Sequence, residues 1–226
     1  MGTMKEIWLW LSDATQYCAA ASLLLWLLKF RRLSPLFRLL GLVLINELLT
    51  DTLASWLDAH KTNNMPLLHL YTLLSFWLFS FFYRELFRRK PVVRRYFWPY
   101  MAVVTLLLIA NTLWLEPVWG FNSNAKTLIQ CMFIAYVVYY LFDAFGKTDF
   151  LQPNDLAVSL VNMAILIYNA GSLFIFMFAK TLNNGLLSAK AQHGLWMVNS
   201  LLYLIFQLLL LLALWIQAFK ATKSSS

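Results

Sequence analysis

Long apolar stretches alternate with short polar breaks along the whole chain. A helix needs about 20 residues to cross the hydrocarbon core of a bilayer, and seven stretches approach or reach that length. The pattern predicts helices over Ile7–Leu28, Leu36–Leu57, Pro66–Tyr83, Phe97–Leu115, Ala125–Phe145, Leu156–Phe178 and Leu195–Phe219. These runs are too long for strands and lack the alternation of a barrel. Backbone polar groups in lipid must be paired within the segment, which leaves the helix. The expected fold is an all-α bundle of seven transmembrane helices over residues 1–219, followed by a short cytoplasmic tail over 220–226.

Composition narrows the class further. Of 226 residues, 61% are hydrophobic and only 12% charged, and the mean hydropathy is +0.65. A water-soluble domain of this size cannot bury so much apolar surface. An ordinary soluble enzyme, a disordered chain and a fibrous repeat are excluded on the same ground.

The net charge of +8 reads as a topology signal. With the N-terminus outside, thirteen of the eighteen basic residues fall in inner segments, as the positive-inside rule requires. Lys5, Lys61, Lys126, Lys180 and Lys190 fall outside. The inner group includes Lys147, Lys220 and Lys223 and a dense run of Arg84, Arg88, Arg89, Lys90, Arg94 and Arg95. These charges sit in short loops at span ends, so nucleic acid is not an expected partner. The Arg84–Arg95 run is expected to meet anionic lipid headgroups or an acidic partner. Tryptophans agree with the orientation. Trp8, Trp10, Trp56, Trp114, Trp119 and Trp196 lie near the outer boundary, and Trp26, Trp98 and Trp215 near the inner one, as belt residues do.

The first span does not read as a cleaved signal peptide, because Lys5 is offset by Glu6 and no small-residue cleavage site follows. Cys18 and Cys131 both fall inside spans and imply no disulfide or metal site. The longest polar breaks leave no room for a soluble output domain. Pro35 and Pro153 open spans two and six, with Asp51 and Asn169 at matching positions beyond them. This hints at two three-helix units joined by span four. The prolines lie in loops or near span ends, which argues against the broken helices of many transporters.

Polar residues within the spans carry the most information, because ionisable groups at membrane depth are costly and face the bundle interior or water. Asp13, Asp51, His69, Asn111, Gln130, Asn169 and Asn199 all fall in the outer half, with Glu47 near the middle. The inner half is mainly Leu, Phe, Val and Ile. This asymmetry predicts a polar pocket open to the outside, with these eight residues as candidate ligand contacts. Glu47 and Asp51 are four apart and share one helix face. Two carboxylates in low dielectric repel, which favours protonation of at least one. They could pair structurally with neighbouring polar groups, bind a ligand or cation, or relay a proton. His69 is a lone histidine at depth, and His60 and His193 fall in loops, so no catalytic metal set is formed. No serine sits in a nucleophile elbow. The chain is read as a non-enzyme without a cofactor, an intramembrane hydrolase being the residual alternative.

The stretches Asn46–Thr52 (NELLTDT), Leu68–Trp77 (LHLYTLLSFW), Phe121–Thr127 (FNSNAKT), Tyr168–Phe176 (YNAGSLFIF) and Leu195–Tyr203 (LWMVNSLLY) together resemble small seven-helix membrane proteins of Bacteroidota. Some of those are encoded near sensor histidine kinases. The resemblance implies a bacterial cytoplasmic-membrane protein with a sensory association, and it names no ligand. The expected function is thus a receptor-like or sensory membrane protein that signals through a membrane or cytoplasmic partner. A small-solute or cation transporter of three-plus-one-plus-three helices and a structural or assembly subunit are the alternatives.

Overall fold

The computed structural model describes residues 2–145, 153–181 and 188–220. Lys147, Lys223 and the expected tail over 221–226 lie outside these residues. Seven α-helices follow one another: α1 (Gly2–Lys29), α2 (Pro35–Ala59), α3 (Met65–Leu86), α4 (Pro91–Ala110), α5 (Ser123–Phe145), α6 (Pro153–Thr181) and α7 (Ala189–Lys220). No strand occurs among the described residues. Each helix coincides with one predicted apolar run. Five of them are long and apolar enough to cross a membrane: α3, α4 with its extension to Leu115, and the apolar stretches of α5, α6 and α7. The protein is therefore an all-helical integral membrane protein.

Helix starts follow local chemistry. Proline opens α2, α4 and α6 at a position where its missing N–H would be unpaired anyway. α4 begins at Pro91, ahead of the predicted Phe97, so Pro99 lies inside the helix and not near its end. There it removes one intrahelical hydrogen bond. Beyond Ala110 the helix widens into a single π turn, Asn111–Leu115. Such turns commonly mark functional positions.

The helices pack as two compact units. One contains residues 35–129, which are α2, α3, α4 and the first turns of α5. The other contains residues 1–34 and 130–226, which bring α1 together with the rest of α5, α6 and α7. This grouping differs from a division into spans one to three and five to seven, because α1 packs on α7.

In the 35–129 unit, α3 and α4 run antiparallel. Phe76 meets Tyr100, Phe81 meets Phe97, and the Trp77 Nε1–H donates to Thr105 Oγ1 at 3.0 Å. Phe37, Leu40, Leu44, Phe76 and Phe82 are fully buried.

In the other unit, α6 and α7 are antiparallel and in close contact. Tyr168 packs on Tyr203 and Phe206, and Phe176 on Trp196. Gly171 lets the backbones approach, since a Cβ there would meet Leu202 Cδ1 at 2.8 Å. Lys29, the last residue of α1, lies over the ring of Phe219 near the end of α7 at 5.0 Å. Trp26, expected in the inner belt, is instead buried, with its ring edge-on to Phe30.

Large apolar side chains such as Trp10, Leu106, Trp114, Phe142 and Phe174 remain exposed. In water these surfaces would aggregate, whereas in a bilayer they are solvated by lipid tails. Trp56, Trp98, Trp114, Trp119 and Trp215, expected as belt residues, are exposed. The Trp8 side chain lies outside the described set.

Candidate functional site

Four of the eight candidate pocket residues belong to the 35–129 unit: Glu47, Asp51, His69 and Asn111. Asp13, Gln130, Asn169 and Asn199 belong to the other unit. The two sets are structurally different.

In the second set, Asp13 is exposed on α1. Gln130 is fully buried, and its Nε2–H donates to Ser172 Oγ at 2.8 Å, tying α5 to α6. Its Oε1 has no hydrogen-bond partner. Asn169 turns back on its own helix, donating to the Ile165 carbonyl at 2.7 Å. Asn199 buries an Oδ1 without a partner. Asn162 on α6 and Gln207 on α7 are also fully buried.

The first set gathers into a polar cluster at the end of its unit that carries the α2–α3 and α4–α5 loops. Asn46, Glu47 and Thr50 are buried on one side of α2, and Asp51 is half-buried beside them. Asn46 Nδ2–H donates to Ser75 Oγ at 3.2 Å, joining α2 to α3. Glu47 is only 2% exposed. Its counter-charge is Lys126 on the first turn of α5. The sequence had assigned Lys126 to an outer segment, yet its side chain is 8% exposed. The carboxylates of Glu47 and Asp51 both act electrostatically on its ammonium. That ammonium also lies 5.2 Å from the centre of the Tyr71 ring, a cation–π contact from α3. The paired carboxylates thus do not rely on protonation alone to offset their repulsion. A buried cation shares their site.

Glu116 was not among the expected site residues, yet it is 1% exposed. Its carboxylate accepts from Ser123 Oγ at 2.6 Å, Asn111 Nδ2 at 2.9 Å and the Asn124 backbone N–H at 3.0 Å. This clamps the π turn after α4 onto the N-terminus of α5, where unpaired amides and the helix dipole favour a carboxylate. Asn111 is therefore a Glu116 partner. Burial alone would raise the Glu116 pKa. The hydrogen bonds from Ser123, Asn111 and the Asn124 and Ala125 amides outweigh it and hold the carboxyl below its ordinary value of 4.5. The available signal in the sequence was a carboxylate shortly before the polar helix start Asn122-Ser123-Asn124.

His69 completes the cluster. Its Nε2 contacts the Gly120 carbonyl at 3.1 Å, and its Nδ1 contacts Thr112 Oγ1, also at 3.1 Å. A carbonyl only accepts, so Nε2 carries a proton. Thr112 also reaches the Leu108 carbonyl at 3.1 Å. Its single hydroxyl proton can thus face either Nδ1 or the Leu108 carbonyl, with no heavy atom moving. Asn122 Nδ2 donates to Thr72 Oγ1 at 2.7 Å and to the Leu68 carbonyl at 3.1 Å. Beside these groups lies a cavity of about 270 Å³, lined by His69, Thr72, Leu73, Leu108, Thr112 and Ala125 among others. Its walls are mainly apolar, with His69, Thr72 and Thr112 as the polar side chains. No group of three or more His, Cys, Asp or Glu suited to a metal occurs among the described residues.

No protein-family model, curated protein or solved structure matches this chain. Function is therefore argued from the site's own chemistry.

Two outcomes follow from these contacts. Removing the cation with Lys126→Met should destabilise the protein by about 3–5 kcal/mol, because it leaves buried carboxylates uncompensated. Adding Glu47→Gln to that variant should recover much of the loss in melting temperature in detergent. Equal losses in the single and double variants would show that the charges do not interact. The second outcome concerns Glu116, whose lowered pKa contributes stability that is complete above the ordinary carboxyl value and fades as pH falls through the folded-state value. Glu116→Gln should lower the melting temperature at neutral pH by an amount equivalent to about 2 kcal/mol. Wild type and variant should begin to converge as the pH falls below the ordinary carboxyl value of 4.5 and meet once it has passed the lower folded-state value. A gap that stays constant down to that pH would contradict the assignment.

Proposed function

We propose that this chain is a receptor-like membrane protein of seven spans, N-terminus outside and C-terminus inside, that responds to a small ligand at the outer end of its 35–129 unit. The observation that carries the reading is the pairing of a cavity with a buried charge cluster on the same short stretch of α5. Ala125 lines the cavity, and the next residue, Lys126, is the counter-ion of Glu47 and Asp51. A ligand that fills the cavity displaces the first turn of α5 and changes how that ammonium meets the two carboxylates. Helix α5 then continues into the other unit, so the displacement has a covalent route onward. The lining favours a largely apolar ligand with one hydrogen-bonding group, which His69 or Thr112 would meet. The contacts of Asp13, Gln130, Asn169 and Asn199 belong to the other unit and are not required for this step. In this reading the signal passes on to a membrane or cytoplasmic partner.

Seven spans and this orientation are supported by the basic-residue split and by the coincidence of all seven helices with the apolar runs. Single cysteines at Lys61 and Arg89, in a background with Cys18 and Cys131 replaced by serine, test it. An impermeant maleimide added to intact cells should label Lys61→Cys and not Arg89→Cys. The reverse pattern would invert the orientation, and labelling of both or neither would break the span count between them.

The ligand step is tested by thermal shift in detergent with medium-chain alcohols, amines and carboxylic acids. At least one class should raise the melting temperature of wild type. Ala125→Phe, which fills the cavity from α5, should abolish that rise. A panel without any shift, or an equal shift in Ala125→Phe, would remove the support for a ligand at this cavity.

A further inference from the structure

A second recess lies at the opposite end of the 35–129 unit, where α3 turns into α4. It measures about 660 Å³ and is lined by Leu39, Phe81, Glu85 and the arginines Arg84, Arg88, Arg89 and Arg94. Four guanidinium groups thus share one recess with a single carboxylate. Glu85 accepts from Arg88 at 3.0 Å, so it offsets only part of that charge. Arg84 is held in place by two aromatic faces, 4.8 Å from the Phe97 ring centre and 5.5 Å from that of Trp98. A guanidinium held over aromatic faces keeps its planar fork of N–H donors for an oxyanion. Arg95 and Lys90, expected from the sequence to act with the others, do not line the recess. Arg95 instead lies over its own neighbour Tyr96 at 5.4 Å.

We infer that this recess is a binding site for the phosphodiester headgroup of an anionic phospholipid. Three observations point to lipid as the source of the phosphate. The recess is formed at the joined ends of α3 and α4, both apolar enough to cross a membrane, so it opens at headgroup depth. Its floor includes Leu39 and Phe81, and the adjoining Val92 and Trp98 are exposed. A lipid would lay the start of its acyl chains against these apolar groups. Four guanidinium groups against one carboxylate leave an excess of positive charge in the recess, the sign that an anionic phosphodiester would answer. Basic pockets between spans are a recurring way to hold acidic headgroups. The inference rests on α3 and α4 being spans, which the cysteine labelling at Lys61 and Arg89 tests by itself.

The test is binding of the full chain, purified in a neutral detergent, to phosphatidylglycerol, measured by native mass spectrometry and by thermal shift at physiological salt. Phosphatidylcholine, inorganic phosphate and an acidic polyglutamate peptide serve as comparison ligands. Phosphatidylglycerol should bind and stabilise, and the three others should do so far less. Arg89→Gln with Arg94→Gln should weaken phosphatidylglycerol binding by about 30-fold. Arg32→Gln with Arg95→Gln removes the same charge from outside the recess and should weaken it by about threefold or less. All these arginines are exposed, so neither double variant removes a core contact, and unchanged melting temperatures without lipid would verify that. Equal weakening in the two double variants would reduce the effect to a diffuse basic field and overturn the site. Equal binding of inorganic phosphate would make it a soluble-anion site. Equal binding of phosphatidylcholine would make headgroup charge irrelevant. Preferential binding of the acidic peptide would make it a protein-docking surface.

Discussion

An ionisable group buried among apolar helices has to find its partner inside the protein. That constraint organises the 35–129 unit. Glu47 is nearly inaccessible on α2, in a chain whose surface is mostly hydrocarbon. Its carboxylate and that of Asp51 act on Lys126, which comes from α5, far along the sequence. The interaction draws the first turn of α5 against α2, and Tyr71 of α3 joins through the Lys126 ammonium. Desolvating each ion costs several kcal/mol, and mutual attraction in a medium of low dielectric offsets that only when the groups remain together. The cluster is therefore a packing constraint as well as a chemical site.

The loop between α4 and α5 is shaped by the same requirement. Glu116 and Asn122 are buried, and both satisfy polar groups that a membrane would otherwise strand. Asn63 closes the neighbouring loop by donating to the Trp119 carbonyl at 2.9 Å. With the π turn at Asn111–Leu115, these bonds hold His69 and Thr112 at the mouth of the apolar cavity. A widened helical turn, a two-way hydroxyl and a buried ion cluster thus adjoin one small space. This arrangement supports a ligand-responsive reading more than a purely structural one. At the other end of the unit the logic is inverted. There the arginines are exposed and exceed their carboxylate partner.

Helices were legible because they depend on local quantities. Apolar length, proline at helix starts and polar breaks located all seven, and the largest boundary differences were at the starts of α4 and α7, where the polar stretches after Pro91 and Ala189 are helical although they are not apolar. Glu47 and Asp51 were legible as a pair because their spacing of four places them on one face whatever the neighbours are. Lys126 and Glu116 were not. Near the end of a span, a charged residue reads as a loop charge. Only the neighbouring helices decide whether it faces water or turns inward. A common depth for Asn111, Gln130, Asn169 and Asn199 was the expectation from the sequence, and depth says nothing about direction. Asn111 points at Glu116, Gln130 at Ser172 and Asn169 at its own backbone.

Sequence alone determined that this is a helical membrane protein, because hydrophobic length and helix geometry are properties of a segment. It also located the polar minority along each helix. Tertiary structure decided which of those polar groups meet. It separated the eight candidates into two units, supplied Lys126 as the counter-ion and shaped a cavity beside His69. The physical reason is that charge pairing and cavity shape act between side chains distant in the chain, and their energies depend on which helix faces come within a few ångströms of each other.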